Sequence, residues 1–258
     1  MERLWSTCPL PSLTERVGDH AQAETRLALL GDFELTYNDR PIPLARSCQR
    51  VLALLALHDR ALERSFIAAT LWTEASEERA AGNLRSALWR LRPTGQALIE
   101  RRSSRLHLAR SVAVDLHDAR SLAHRLLLSG DDYGDELGDD DFDESVFLHD
   151  LLPDWYDDWL LIERERFREL RLRALEALCE RLAASGRSSR GIECGLAAII
   201  GDPLRESSHR AVIRIYLAEG NQAEAIHQYR FYRELLAVRL GLQPSHQMSE
   251  LMASLAPR

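Results

Sequence analysis

The spacing of apolar residues in the first half of the chain predicts a small sheet followed by three helices. Apolar and polar residues alternate strictly from Gly31 onward, Asn38-Asp39 is a turn signal, and Ile42-Pro43-Leu44 would form the returning strand. This pattern is typical of a small antiparallel sheet. We expect ordered structure to begin at Leu27. Apolar residues then recur about every 3.6 positions, and this period predicts helices at Arg46 to His58, at about Arg64 to Trp72 and from Glu77 to Arg92.

The third of these helices has clear end signals and two different faces. Ser76 is placed to cap its N-terminus, acids occupy the first turn, and Pro93 follows its last residue. With residues about 100° apart, one face gathers small and apolar side chains: Ala80, Ala81, Leu84, Leu88 and Leu91. The opposite face gathers Arg79, Gly82, Asn83, Ser86, Trp89 and Arg90.

Two short apolar segments after Gly95 predict a ribbon that follows the third helix. Leu98 to Arg101 and Leu106 to Leu108 form its strands, and the basic stretch Arg101 to Arg105 is expected to be a flexible tip. A small sheet, three helices and a basic hairpin in this order are typical of a winged helix-turn-helix, which we predict at 27–114. Residues 1–26 lack a sustained period and contain two prolines, so we expect a flexible N-terminal arm.

The second half of the chain, 115–258, has a helical pattern throughout. Helices are predicted at Leu116 to Leu128 and from about Trp155 to Ala184, and the aromatic cluster Trp155, Tyr156 and Trp159 is expected to pack in the core. A segment ending at Gly186 is echoed 34 positions later by one ending at Gly220. This period is typical of tetratricopeptide-like helical hairpins. The predicted fold class is therefore mostly α with small β, a winged helix plus an all-α helical repeat domain.

Composition places the chain among ordinary soluble globular proteins. It has 258 residues, of which 45% are apolar and 28% charged. No apolar run approaches the roughly 18 residues that cross a bilayer, and no signal peptide pattern is found, so we expect a cytoplasmic protein with no membrane partner. The four cysteines are scattered, which favours reduced packing thiols over a disulfide framework or a zinc site.

All 33 basic residues are arginine, and the absence of lysine removes whole classes of chemistry. A lysine Schiff base and a phosphate-loop lysine are both excluded, and no nucleophile elbow or zinc protease motif occurs. Asp139, Asp141, Asp143 and Asp150 have calcium-loop spacing, but Glu144 stands where the sharp turn requires glycine. We expect no enzyme activity, no catalytic residue, no cofactor and no metal.

Charge is distributed unevenly along the chain. The net charge is −7, yet Arg79 to Arg110 contains eight arginines and one acid, whereas Asp131 to Asp158 contains thirteen acids and no arginine. A local basic patch in an acidic protein indicates a polyanion partner. Arginine and asparagine can each bond two atoms of a base edge, so the polar face of the third helix suits a major groove.

Arginines at the edges of this surface suit the DNA backbone. Arg85 and Arg92 lie at the flanks of the helix, where phosphates are the expected contacts. The ribbon arginines Arg101, Arg102 and Arg105 suit a minor groove or the backbone.

Several segments of the chain resemble the SARP family of bacterial transcriptional activators. The stretches Leu29 to Leu35, Arg50 to Leu57, Leu71-Trp72 and Asn83 to Arg92 resemble its OmpR-type DNA-binding domain, over about Leu27 to Asp115. Five further segments resemble the bacterial transcriptional activator domain of the same family: Phe147 to Trp159, Leu161 to Arg166, Asp202 to Ser207, Leu217 to Ile226 and Tyr229 to Leu235.

This resemblance implies that the helix Glu77 to Arg92 enters the major groove of DNA. Ser86, Trp89 and Arg90 would lie toward the bases and Arg92 toward a phosphate, although Trp89 is bulky where a small polar residue is common. The family further implies binding to direct repeats near promoters, as a homodimer, and recruitment of RNA polymerase holoenzyme. The leading hypothesis is thus a sequence-specific regulator of transcription that binds double-stranded DNA. The alternative is a protein-binding adaptor whose helical repeats act without specific DNA readout.

Overall fold

The computed structural model describes residues 24–58, 60–92, 97–128 and 144–253. Its strands are β1 (Thr25–Ala28), β2 (Glu34–Tyr37), β3 (Arg40–Pro41), β4 (Leu62–Glu63), β5 (Ile99–Arg102), β6 (Arg105–Leu108) and β7 (Val112–Val114). Its helices are α1 (Arg46–Leu57), α2 (Arg64–Leu71), α3 (Glu77–Arg90), α4 (Asp115–Leu128), α5 (Asp158–Ala184), α6 (Ser188–Gly201), α7 (Glu206–Ala218), α8 (Gln222–Leu240) and α9 (His246–Ala253). A short 3-10 helix spans Glu144–Phe147.

The first sheet has the order β3-β2-β1-β7. Its antiparallel part was predicted, and Asn38 and Asp39 have the positive φ values, +47° and +59°, that a two-residue hairpin turn needs. Strand β7 was not predicted; it pairs parallel to β1 from beyond the wing. Strand β1 begins at Thr25, two residues earlier than expected, because Thr25 and Leu27 alternate as buried positions. Residues 1–23 of the predicted arm lie outside the described residues.

The three helices of the first half begin and end within two residues of their predicted limits. Every residue of α1 from Val51 to Leu57 is buried, which makes this helix the centre of the winged-helix core. Ser76 occupies the N-cap position of α3, but its side chain makes no capping hydrogen bond. Helix α4 follows β7 directly, and the Asp115 carboxylate accepts hydrogen bonds from the backbone amides of Leu29 and Leu30 at 2.9 to 3.0 Å.

The wing is the hairpin of β5 and β6, with β4 added to the outer side of β6. The tip is shorter than the predicted Arg101 to Arg105: Arg102 pairs directly with Arg105, so the turn consists of Ser103 and Ser104 alone. The wing arginines are therefore strand residues, because the ladder continues two residues further than the apolar pattern indicated. A backbone hydrogen bond of 3.1 Å from Arg64 N to Ser104 O ties the turn to the start of α2.

Two helical hairpins, α5 with α6 and α7 with α8, confirm the tetratricopeptide-like prediction. Gly186 and Gly220 end the first helix of each pair in the left-handed region, with φ of +77° and +74°. In both pairs the amide after the glycine donates to the carbonyl five residues earlier at 2.8 Å. This is the Schellman arrangement that glycine favours at a helix C-terminus. The 34-residue repeat in the sequence thus marks the C-terminal ends of α5 and α7.

Close approach between α6 and α7 depends on Gly195. A methyl group at this position would overlap Val212 Cγ2 and lie 3.1 Å from Cys179 Sγ. We expect Gly195→Ala to lower the free energy of unfolding by about 1 to 3 kcal/mol, since overpacking displaces both neighbours. Urea titration measures this loss.

The control for Gly195 is another helical glycine with open space around it. Gly82 lies in α3, and its added methyl group would meet no atom closer than 3.6 Å. Gly82→Ala should therefore raise stability by up to about 1 kcal/mol through helix propensity. Equal effects of the two substitutions, or no partial recovery in the double variant Gly195→Ala with Val212→Ala, would contradict the packing argument.

One apolar core runs from the first sheet into the helical repeats. At the junction Phe33 stacks on Trp155 with ring centroids 5.7 Å apart, and the Arg46 guanidinium lies 3.6 Å from the Trp155 ring centroid. Arg50 forms an ion pair of 2.6 Å with Asp157. Tyr156 was expected to pack with its neighbours but is 89% exposed. It precedes the start of α5, so helical spacing does not apply to it.

Backbone contacts also hold the two halves together. Leu151 forms a bridge with Leu30, and Leu152 N donates to Leu29 O at 2.9 Å. The guanidinium of Arg164 on α5 donates to the carbonyl oxygens of Leu151, Leu152 and Trp155. The segment before α5 is thus fixed on one side to β1 and on the other to α5.

Candidate nucleic-acid interface

Helix α3 packs one face against the winged-helix core and presents the other to solvent. Its buried residues are Ala80, Leu84, Ala87 and Leu88, followed by Leu91 just beyond the helix. Ala81, which was predicted on this face, is only half-buried. The predicted interface residues of the helix and its end are all exposed: Arg79, Asn83, Arg85, Ser86, Trp89, Arg90 and Arg92.

The arginines of this exposed face have no acidic partner. Within the described parts of the chain, Arg79, Arg85, Arg90 and Arg92 take part in no ion pair or side-chain hydrogen bond. On α5, by contrast, exposed arginines are neutralised: Arg166 by Glu163 at 2.7 Å and Arg173 by Glu169 at 2.8 Å. The positive charge of α3 therefore stays available to an external anion.

Asn83 and Ser86 differ in what they can offer a base. The Asn83 amide makes no side-chain hydrogen bond to any described residue, so both its donor and its acceptor are free to pair. The Ser86 hydroxyl already donates to the carbonyl oxygen of Gly82 at 3.0 Å. Ser86 retains only acceptor capacity, which limits the contacts it can make with a base edge.

The wing arginines are exposed, and two of them have partners. Arg102 and Arg105 stand opposite each other in the ladder, an arrangement of like charges that is unfavourable without counter-charges. Glu100 lies 3.8 Å from Arg102, and Glu63 lies 2.6 Å from Arg105. The hydrogen bond from Arg105 holds the pKa of the Glu63 carboxyl below its usual range. Arg101 has no ion-pair partner among the residues with described positions.

Sequence reasoning missed Glu63, which fixes one side of the wing. Its strand, β4, is two residues long, and its partner Arg105 lies 42 positions away. A strand of this length has no detectable period. Arg105 is thereby tied to β4 beside the turn of the wing, whereas Arg101 and Arg102 lie on β5.

Helix α3 and the wing form one basic surface. One cleft is lined from both sides, by Leu88, Leu91 and Arg92 at the end of α3 and by Leu98, Ile99 and Arg101 at the start of the wing. The end of α3 therefore adjoins the start of β5. Arg92 and Arg101 lie at the same cleft, which joins the arginines of the helix to those of the hairpin.

Three acids of the negative segment are paired with arginines outside this surface, whereas Asp154 and Asp158 form no ion pair with any described residue. Glu144 pairs with Arg190, Asp150 with Arg171 and Asp157 with Arg50, each at 2.6 Å. The calcium-loop positions Asp139, Asp141 and Asp143 lie outside the described residues. Among the residues that are described, no group of three or more His, Cys, Asp or Glu side chains could hold a metal ion.

The cysteines of the described ranges are buried thiols rather than nucleophiles. Cys48, Cys179 and Cys194 are free and buried. Burial raises the pKa of Cys179 to about 12 and that of Cys194 to about 11, so both stay protonated near neutral pH. Helices long and apolar enough to span a bilayer are also absent from the described ranges.

Comparisons with known proteins agree with this architecture. The family model of the bacterial transcriptional activator domain matches residues 145–256. Among solved structures, the chain is similar to Mycobacterium tuberculosis EmbR in complex with a low-affinity phosphopeptide, with a TM-score of 0.70 and 20% sequence identity. The match covers 92% of this chain and 67% of that chain. No curated protein sequence matches this chain.

Proposed function

We propose that this protein, which has the domain content and the architecture of a SARP-type transcriptional regulator, binds double-stranded DNA in a sequence-specific manner and activates transcription. The observation that carries the proposal is the exposed face of α3, where Arg79, Arg85, Arg90 and Arg92 have no acidic partner among the described residues. Unpaired guanidinium groups on a helix that protrudes from a winged-helix core match the charge and the width of a major groove.

Each side chain of the surface has a proposed role. Arg90 and Asn83 contact base edges, because their free donors and acceptors suit guanine and adenine. Arg79, Arg85 and Arg92 flank them and neutralise phosphates. On the wing, Arg101 and Arg102 contact a minor groove or the backbone, while Arg105 holds the hairpin in place through Glu63.

The helical repeats provide protein contacts in this proposal. The family resemblance implies RNA polymerase holoenzyme as the partner and a homodimer on direct repeats as the bound form. Helix α8 supports a role in protein contacts, since it leaves Phe231 and Val238 exposed on its outer side. Large apolar side chains grouped on one surface are typical of protein interaction sites.

Salt dependence tests the proposal with the full chain. Each phosphate that is neutralised contributes about −0.9 to the slope of log K against log salt concentration. If four arginines each neutralise one phosphate, the affinity for a duplex should fall about 100-fold between 50 and 200 mM salt. Arg102→Ala is expected to weaken specific and scrambled duplexes by the same factor and to reduce the slope by about one unit. Fluorescence anisotropy at several salt concentrations measures both quantities.

The matched control removes an arginine that lies elsewhere and is already paired. Arg173 on α5 is exposed and bonded to Glu169 at 2.8 Å, so Arg173→Ala should leave both the affinity and the slope unchanged. Absence of salt-dependent binding to any genomic fragment would contradict the proposal and favour the protein-binding adaptor instead.

A further inference from the structure

Trp89 is an exposed indole in the middle of the basic face. Its exposed fraction is 66%, and it makes no ring contact or side-chain hydrogen bond with the part of the chain that is described. Trp159, by comparison, packs against Trp155 and donates a hydrogen bond to Asp157. A large apolar side chain among unpaired arginines contributes nothing visible to the fold, which points to a contact with an external partner.

The geometry of α3 places Trp89 farthest from the core. The buried residues of the helix centre on Leu84 and Leu91, and the line on the opposite side runs through Gly82, Ser86 and Trp89. Gly82 has no side chain, and the Ser86 hydroxyl is bonded back to Gly82 O at 3.0 Å. Trp89 is therefore the one large group that projects along the axis by which α3 would enter a groove.

We propose that Trp89 determines specificity by packing against the C5-methyl group of a thymine in the major groove. This inference rests on the DNA-binding function proposed above. Thymine is the base that presents an apolar group in that groove, and apolar side chains contact it there. Arg90 and Asn83 lie together on one side of Trp89 and select bases by hydrogen bonds, so Trp89 adds an apolar readout beside two polar ones.

Other contacts of Trp89 with DNA have a different signature. The indole N–H can donate a hydrogen bond to a phosphate oxygen, and the ring can pack against a deoxyribose, but loss of either contact would weaken all sequences equally. A methyl contact instead depends on one base position. Its loss should cost about fourfold in affinity, as expected for one apolar carbon removed from water.

The experiment removes the methyl group and leaves the rest of the base intact. The full chain is first used to select its best duplex from a random pool, and each thymine of that duplex is then replaced in turn by deoxyuridine. We expect one or two positions to lose about fourfold in affinity with the native protein. With Trp89→Ala the same positions should lose nothing further, because the side chain that senses the methyl group is gone.

Tyr156→Ala is the matched control, since this aromatic residue is 89% exposed and lies before α5 rather than on α3. It should retain the native affinity and the native deoxyuridine losses. The inference is overturned if no deoxyuridine position weakens binding of the native protein, or if the loss persists in Trp89→Ala. Failure to bind any unmodified duplex would instead contradict the DNA-binding proposal itself, and the thymine contact with it.

Discussion

Replacing Arg90 by alanine is expected to weaken binding to the best duplex by roughly 5- to 150-fold, or about 1 to 3 kcal/mol. Arg90 lies on the exposed face of α3 beside Asn83, and no acidic side chain of the described chain neutralises it. If its two donors hold guanine O6 and N7, their loss also relaxes the preference at that base pair. Competition anisotropy with all four base pairs at each position of the site would measure both effects.

Arg102→Ala separates this role from general attraction to DNA. The Arg102 side chain is on the wing, so its loss should weaken every sequence by one factor and leave the base preferences unchanged. Arg90→Ala should instead weaken the best duplex more than a scrambled one. Equal factors on both duplexes for both variants would remove the base contact assigned to Arg90.

Asp150→Ala is expected to lower the free energy of unfolding by about 2 to 4 kcal/mol, although Asp150 itself is 55% exposed. Its partner Arg171 is nearly fully buried, at 6% side-chain exposure, and burial already lowers the pKa of this guanidinium below its ordinary value. Without Asp150, the remaining polar contact of Arg171 with the described residues is one hydrogen bond of 3.3 Å to Phe147 O. Within the same residues, Arg171 Nε has no hydrogen-bond partner even in the native protein. The buried positive charge of Arg171 is then left without a counter-ion.

Two variants identify the source of the loss. Arg171→Met removes the charge together with its desolvation cost and keeps an apolar stem, so it should cost less than Asp150→Ala. Asp154 is an exposed acid of the same segment, and Asp154→Ala should change stability by less than about 0.5 kcal/mol. Urea titration followed by tryptophan fluorescence measures all three, and an Asp150→Ala loss no greater than that of Asp154→Ala would refute the argument.

Regular elements of this fold could be predicted wherever the apolar period is long. Helices α1 and α3 were predicted to within two residues, and the repeat of 34 positions located both helix ends at Gly186 and Gly220. Strands β4 and β7 have two and three residues, which is too short for a period to be detected. Pairing of β7 with β1 is also a long-range parallel contact, which local sequence does not encode.

Exposure of the candidate site could be predicted from the sequence, but the electrostatic state of its wing could not. Helical spacing alone places Arg79 and Arg90 on the side of α3 that faces away from Leu84. Whether an arginine is neutralised depends on acids brought close by the fold, as with Glu63 and Arg105. On α5 the arginines pair with acids three or four positions earlier on the same helix, and sequence spacing alone indicates such pairs. The partner of Arg105 lies 42 positions away, and only tertiary structure shows that pair.

The junction around Trp155 has a consequence for the arrangement of a complex on DNA. Three contacts tie the winged helix to the segment before α5: the stacking of Trp155 on Phe33, the ion pair of Arg50 with Asp157 and the hydrogen bond from Leu152 N to Leu29 O. In the proposed function, α3 seated in a groove would fix the azimuth of the helical repeats around the duplex. A protein partner of the repeats would then approach the DNA from that side, at a distance set in whole turns of about 10.5 base pairs.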